Sequence, residues 1–159
     1  MICALVPPNR ILTNAAPYFL FQEGNRCDEA FLLSVLSSIP LDWYARRVVE
    51  MNINFHILNA FPIPYAERSN DLRKRAEEIA GTLAAVDDRY EDWADAVGAP
   101  VGGVSASRKE ELVAELDAVV AHLYGLEKDD LTLIYDTFHE EWDPEARKEK
   151  ALSYFTDHQ

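Results

Sequence analysis

Between Ser34 and Pro64, the run SVLSSIPLDWYARRVVEMNINFHILNAFPIP gathers the residue types best suited to chemistry in this chain. It holds Trp43, Arg46, Arg47, Asn52, Asn54 and Phe55 within thirteen positions. Arginine reads guanine edges or clamps phosphates, asparagine can pair with adenine, and an aromatic ring can stack where a base is extruded. The same residues also have plain structural uses. Arg46 and Arg47 can pair with Asp42 or Glu50 across a helical turn, Trp43 and Phe55 can be core, and the asparagines can hold turns.

Elsewhere the chain offers little that reads as a reactive constellation. His56, His122, His139 and His158 are scattered, and His139-Glu140-Glu141 opens like a zinc-protease helix but reaches Asp143 where the second histidine belongs. Asp129, Asp130 and Asp136 lack the spacing and central glycine of a calcium loop. Gly98, Gly102 and Gly103 follow an acidic helical stretch rather than a strand, the wrong setting for a phosphate cradle. Cys3 and Cys27 form no C-x-x-C pair and read as small buried hydrophobes. The carboxylates read as solvated surface charge.

Several elements must position the Trp43–Phe55 residues. Ile2–Val6 and Tyr18–Phe21 are short apolar runs bounded by Pro and Asn and are expected to be strands. Asp28 is expected to cap a helix carrying Phe31, Leu32, Val35, Leu36 and Ile39, with Pro40 opening a second that carries Trp43, Arg46 and Arg47. From Asn52 to Phe61 the alternation of Ile53, Phe55 and Ile57 with Asn52, Asn54 and His56 predicts a half-buried strand. Beyond Ser69 the pattern is helical. Helices are expected over Ser69–Val86, around Trp93 to a stop at Gly98, after a Ser107/Glu110 capping box to a stop at Gly125, around Leu131–Phe138, and after Asp143-Pro144. Segregated strands and helices predict an α+β fold, a small N-terminal sheet with two helices followed by a helical C-terminal half.

At 159 residues and 48% hydrophobic content the chain can bury one core, so a single domain over 1–159 is expected. The net charge of −13 is unevenly spread. Residues 1–65 hold 4 basic and 5 acidic side chains, whereas residues 66–159 hold 11 and 23. The mixed part is therefore nearly neutral, and the helical part is acidic and poorly suited to phosphate. An acidic, lysine-poor surface also suits a salt-rich cytoplasm. With no long apolar run and no signal-peptide pattern, a cytoplasmic location without membrane association is expected.

The segment from Ser34 to Pro64, with its Asp-Trp, its arginine pair, Asn-Phe-x-Ile-Leu-Asn and Pro-x-Pro, resembles the C-terminal target-recognition region of large adenine-specific DNA methyltransferases and fused restriction-methylation proteins. AERSNDLRKRAEEIAGTLAAVDDRYEDWADAVG and ELVAELDAVVAHLYGLEKDDLTLIYDTFH resemble the parts that follow, Leu116–Leu126 most specifically. The resemblance implies a parent enzyme that flips adenine and methylates it with S-adenosylmethionine, this region choosing the sequence. The methyl-donor site and the Pro-Pro-aromatic motif would lie upstream, since Val6-Pro7-Pro8-Asn9 lacks both the polar residue and the ring. No cofactor is therefore expected in this chain, which reads as a split, truncated or excised part. The expected partners are double-stranded DNA and a methyltransferase catalytic chain. The expected role is non-catalytic DNA target recognition through Arg46, Arg47, Asn52, Asn54, Trp43 and Phe55. The alternative is an acidic protein-interaction module that docks onto a methyltransferase or nuclease chain.

Overall fold

The computed structural model describes residues 3–13, 17–49, 53–138 and 145–158. Helices α1 (Arg26–Leu36) and α2 (Ile39–Val48) come first. Asn25, rather than Asp28, caps α1. Its side chain accepts from Asp28 N while Asp28 accepts from Asn25 N, a reciprocal box that satisfies two orphan donors. Ser38 precedes α2, and Pro40 sits in its first turn where no intrahelical N–H is required.

The segment expected as a third strand contains instead the single-turn helix α3 (Phe55–Leu58), capped by Asn54 through a 3.1 Å bond from Ile57 N. Ile53 lies before the Asn54 cap, and within the turn Ile57 and Leu58 form the apolar face, so the alternation that reads as a strand ends in a helical turn. Ile57 packs on the core, and Phe55, off that face, is 55% exposed. Asn52, the start of the expected strand, lies outside the described residues, as do Glu50 and Asp143-Pro144.

Helix α4 (Asp71–Ala84) is capped by Asn70. A 3₁₀ turn, Asp88–Tyr90, leads into α5 (Glu91–Val97), which Gly98 closes at φ +76°, a left-handed conformation that glycine adopts without strain. Helix α6 (Ala106–Leu123) begins at Ser105, whose hydroxyl accepts from Arg108 N; the cap is two residues earlier than the expected Ser107. Helices α7 (Lys128–Asp136) and α8 (Glu145–Asp157) complete the order.

Among the described residues there is no strand, which corrects the expected α+β architecture to an all-helical one. The expected strands Ile2–Val6, from Cys3 on, and Tyr18–Phe21 are irregular. None of the backbone–backbone hydrogen bonds among the described residues involves residues 3–24. Apolar runs this short become strands only when another chain segment pairs with them.

Helix α6 is the spine. Leu112, Leu116, Val119 and Val120 meet Phe31, Val35, Leu41 and Ile79 of α1, α2 and α4 in one core. On its other side Ala114, Ala118 and Ala121 join Leu131, Ile134, Tyr135, Ala151 and Phe155 of α7 and α8 in a second. Alanines at these spacings let α8 approach closely, and α6–α8 is the most extensive helix pair.

Candidate functional site

Helix α2 presents Trp43, Arg46 and Arg47 at i, i+3 and i+4, one face against the end of α7. Trp43 Nε1 donates to Thr137 Oγ1 at 2.8 Å. The Arg47 guanidinium carbon stands 3.8 Å from the Trp43 ring centroid, and that of Arg46 stands 4.6 Å from the Phe138 centroid. Arg46 Nε also lies 3.4 Å from Asp42 Oδ1, the helical-turn pairing foreseen as its structural use. Both arginines occupy the last turn of α2, where positive charge favours the helix dipole. Stacking uses the face of a guanidinium and not its in-plane donors, so the exposed Arg47 retains the chemistry to meet phosphate or a base edge.

The remaining expected site residues do not join this patch. Asn54 is occupied as the cap of α3, and Phe55 is exposed beside it. No hydrogen bond, ion pair or ring contact among the described residues links either one to Trp43, Arg46 or Arg47. Asn52 lies outside the described residues. Of the five that are described, the structure thus brings three together.

Three ionic clusters went unrecognised in the sequence. Asp117, fully buried, accepts from Ile39 N at 2.9 Å, from Tyr135 Oη at 2.6 Å and from Arg147 at 2.6 and 2.8 Å, joining α2, α6, α7 and α8. Burial, reinforced by the Asp117 charge, holds the Tyr135 hydroxyl well above the usual tyrosine range. Arg73 bridges Asp28 and Glu77 and donates to Ala66 O, tying α1 and the chain between α3 and α4 to α4. Glu115 receives Arg75 through two bonds of 2.7 and 2.8 Å, with His158 at 3.4 Å. Burial alone would raise the Glu115 carboxyl, but Arg75 and then His158 outweigh it and hold the carboxyl below its usual range. Asp117, one of two carboxylates with Glu115 in the otherwise apolar run Leu112–Ala121, was the available signal for the first cluster. The other two each depend on a pairing 40 or more positions long, Arg73 with Asp28 and Arg75 with Glu115, a distance local pattern does not reach.

These pairings shape the surface field. Among the described residues, nine of the 11 basic side chains in residues 66–159 form ion pairs with carboxylates, so most of the positive charge of this half is already engaged within the chain. Asp88, Glu91, Asp92 and Asp95 are all exposed and recur at i, i+3, i+4 and i+7, one outward face of the 3₁₀ turn and α5. Beside them, hydrogen bonding from Arg89 pulls the Asp87 carboxyl down to about 2. No group of three or more His, Cys, Asp or Glu placed to hold a metal ion occurs among the described residues. No helix among them is long and apolar enough to cross a membrane.

The chain matches no family model, no curated protein and no solved structure.

Proposed function

We propose that this chain is a protein-interaction module whose acidic helical half docks onto a basic surface of a larger chain. The observation that carries this reading is the internal pairing, among the described residues, of nine of the 11 basic side chains in that half, together with the outward face of Asp88, Glu91, Asp92 and Asp95. An acidic face of this kind steers toward basic partners and away from phosphate. The motifs of the Ser34–Pro64 segment suggest the partner's class, a chain carrying adenine-methylation or nuclease machinery.

The test is fluorescence anisotropy of labelled oligo-lysine and of a labelled duplex pool over a KCl series. The expected result is oligo-lysine binding that weakens with salt and is lost when Asp88, Glu91, Asp92 and Asp95 are changed together to Lys. Binding unaffected by that charge reversal would remove the acidic face from the reading.

A second reading, DNA target recognition, is favoured by the Arg47–Trp43 stack and by Arg46 beside it, in a half whose net charge is only −1. It requires saturable duplex binding, weakened by salt, that falls by about 1–3 kcal/mol when Arg46 and Arg47 become Ala. Duplex affinity unchanged in that double variant would sink it. Neither reading assigns a reaction to this chain, and S-adenosylmethionine belongs only to the parent enzyme that the motifs suggest.

A further inference from the structure

Tyr90, which stands in the chain between Asp88 and Glu91 of the acidic face, lines an apolar groove of about 290 Å³. Its walls come from α1, α4, α6 and the N-terminal segment, with Leu5, Leu33, Ala80, Leu83, Tyr90 and Leu116 among the lining side chains. Tyr90 Oη donates to Leu5 O at 3.2 Å, which fastens the N-terminal segment as one wall. Val86, 49% exposed, also lines it. The volume falls just under the roughly 300–1,000 Å³ typical of small-molecule pockets, and suits one or two apolar side chains better than a whole ligand.

Charge decides what kind of segment carries those side chains. The 3₁₀ turn that supplies Tyr90 continues into α5, and together they present Asp88, Glu91, Asp92 and Asp95 to solvent. An apolar slot beside an acidic surface is complementary to a segment that alternates apolar anchors with Lys or Arg. We infer that the groove anchors a basic amphipathic segment of the partner chain, one large apolar side chain entering between α1 and α4 while its flanking cations meet the α5 carboxylates. This rests on the acidic-docking reading above and adds to it the place of contact and the chemistry of the occupant.

The experiment titrates the full chain with two probes, a fluorescein-labelled Leu/Lys peptide patterned as an amphipathic helix and an oligo-lysine of equal charge. Burying one leucine should make the Leu/Lys peptide bind about tenfold tighter or more. Filling the groove with Ala84→Phe should erase that advantage while leaving oligo-lysine binding as it was. A second readout needs no groove variant. Cys3 lines the groove, so in a Cys27→Ser background its reaction with a thiol reagent should slow severalfold with the Leu/Lys peptide and not with oligo-lysine. Equal affinity for both probes with Cys3 unprotected would overturn the groove and leave the acidic-docking reading standing. Failure of both probes to bind would overturn the two together.

Discussion

Asp117 holds more of this molecule together than any other carboxylate seen in it, and its residue type alone does not announce that. It sits at 0% exposure with a backbone N–H, a hydroxyl and a guanidinium as donors. Asp117→Ala would take the acceptor from the Ile39 N–H and the Tyr135 hydroxyl and the counter-charge from Arg147, so a loss of about 3–5 kcal/mol is expected by urea unfolding. A loss below about 1 kcal/mol would mean that other groups satisfy those donors. Glu115 and Asp28 contribute to the acid limit of stability. Burial pushes both carboxyls up, but for Glu115 Arg75 and His158, and for Asp28 the Asn25 backbone N–H with Arg68 and Arg73, more than compensate, so both titrate below their ordinary values. A depressed folded pKa contributes stability that is complete above the unfolded value, near 4, and is lost as pH falls through the folded value. Unfolding midpoints should therefore hold from pH 7 to about 5 and drop below about 4, and Glu115→Gln should lessen that acid-side drop. The arginines that pair with Asp28 and Glu115 come from outside the helix that carries each carboxylate, which is why those ion pairs were not legible in the sequence. Arg46 with Asp42 was legible because both lie one turn apart on α2.

At the scale of elements, the helices of the acidic half follow from apolar spacing and caps, with errors at their starts. The box expected at Ser107/Glu110 is displaced to Ser105, because both serines precede the same apolar pattern and only the backbone geometry decides which hydroxyl reaches a free N–H. Ser105→Ala should therefore cost about 1 kcal/mol in thermal or urea unfolding, whereas Ser107→Ala should cost almost nothing. Gly81 provides the converse case. Mid-helix Gly→Ala ordinarily gains about 1 kcal/mol of propensity. Here a Cβ would stand 2.6 Å from Ala99 Cβ, where α4 meets the chain just after α5. Overpacking of about 1–3 kcal/mol should win, so Gly81→Ala is expected to lower the melting temperature. A rise would show that the Ala99 segment yields easily. The N-terminal third was the harder part to read. The period-two apolarity of Ile53, Phe55 and Ile57 gave way to a turn over Phe55–Leu58 capped by Asn54, and Tyr18–Phe21 found no strand to pair with among the described residues.

For the whole molecule, a net charge of −13 on 159 residues implies self-repulsion that salt should relieve. The screening length falls from about 10 Å at 0.1 M to about 3 Å at 1 M, while partly buried pairs such as Arg147–Asp117 are screened much less. Melting temperature is therefore expected to rise with KCl over that range, and a flat or falling curve would refute the idea of a surface suited to high salt. Charge was fully legible in the sequence, as were the apolar helical faces after Ser69 and the segregation of acid into residues 66–159, because composition and periodicity are local properties. Of the candidate site, the α2 face of Trp43, Arg46 and Arg47 was legible for the same reason, since a helix sets its own i, i+3 and i+4 neighbours. Only the tertiary structure decided that the short apolar runs form no sheet among the described residues, that α6 serves two cores, that Asp117 is a buried hub, and that Asn54 and Phe55 stand apart from the arginines. Each of those outcomes depends on which distant segment lies alongside, and hydrogen-bond and ion-pair partners are chosen by packing across the fold rather than by neighbours in the chain.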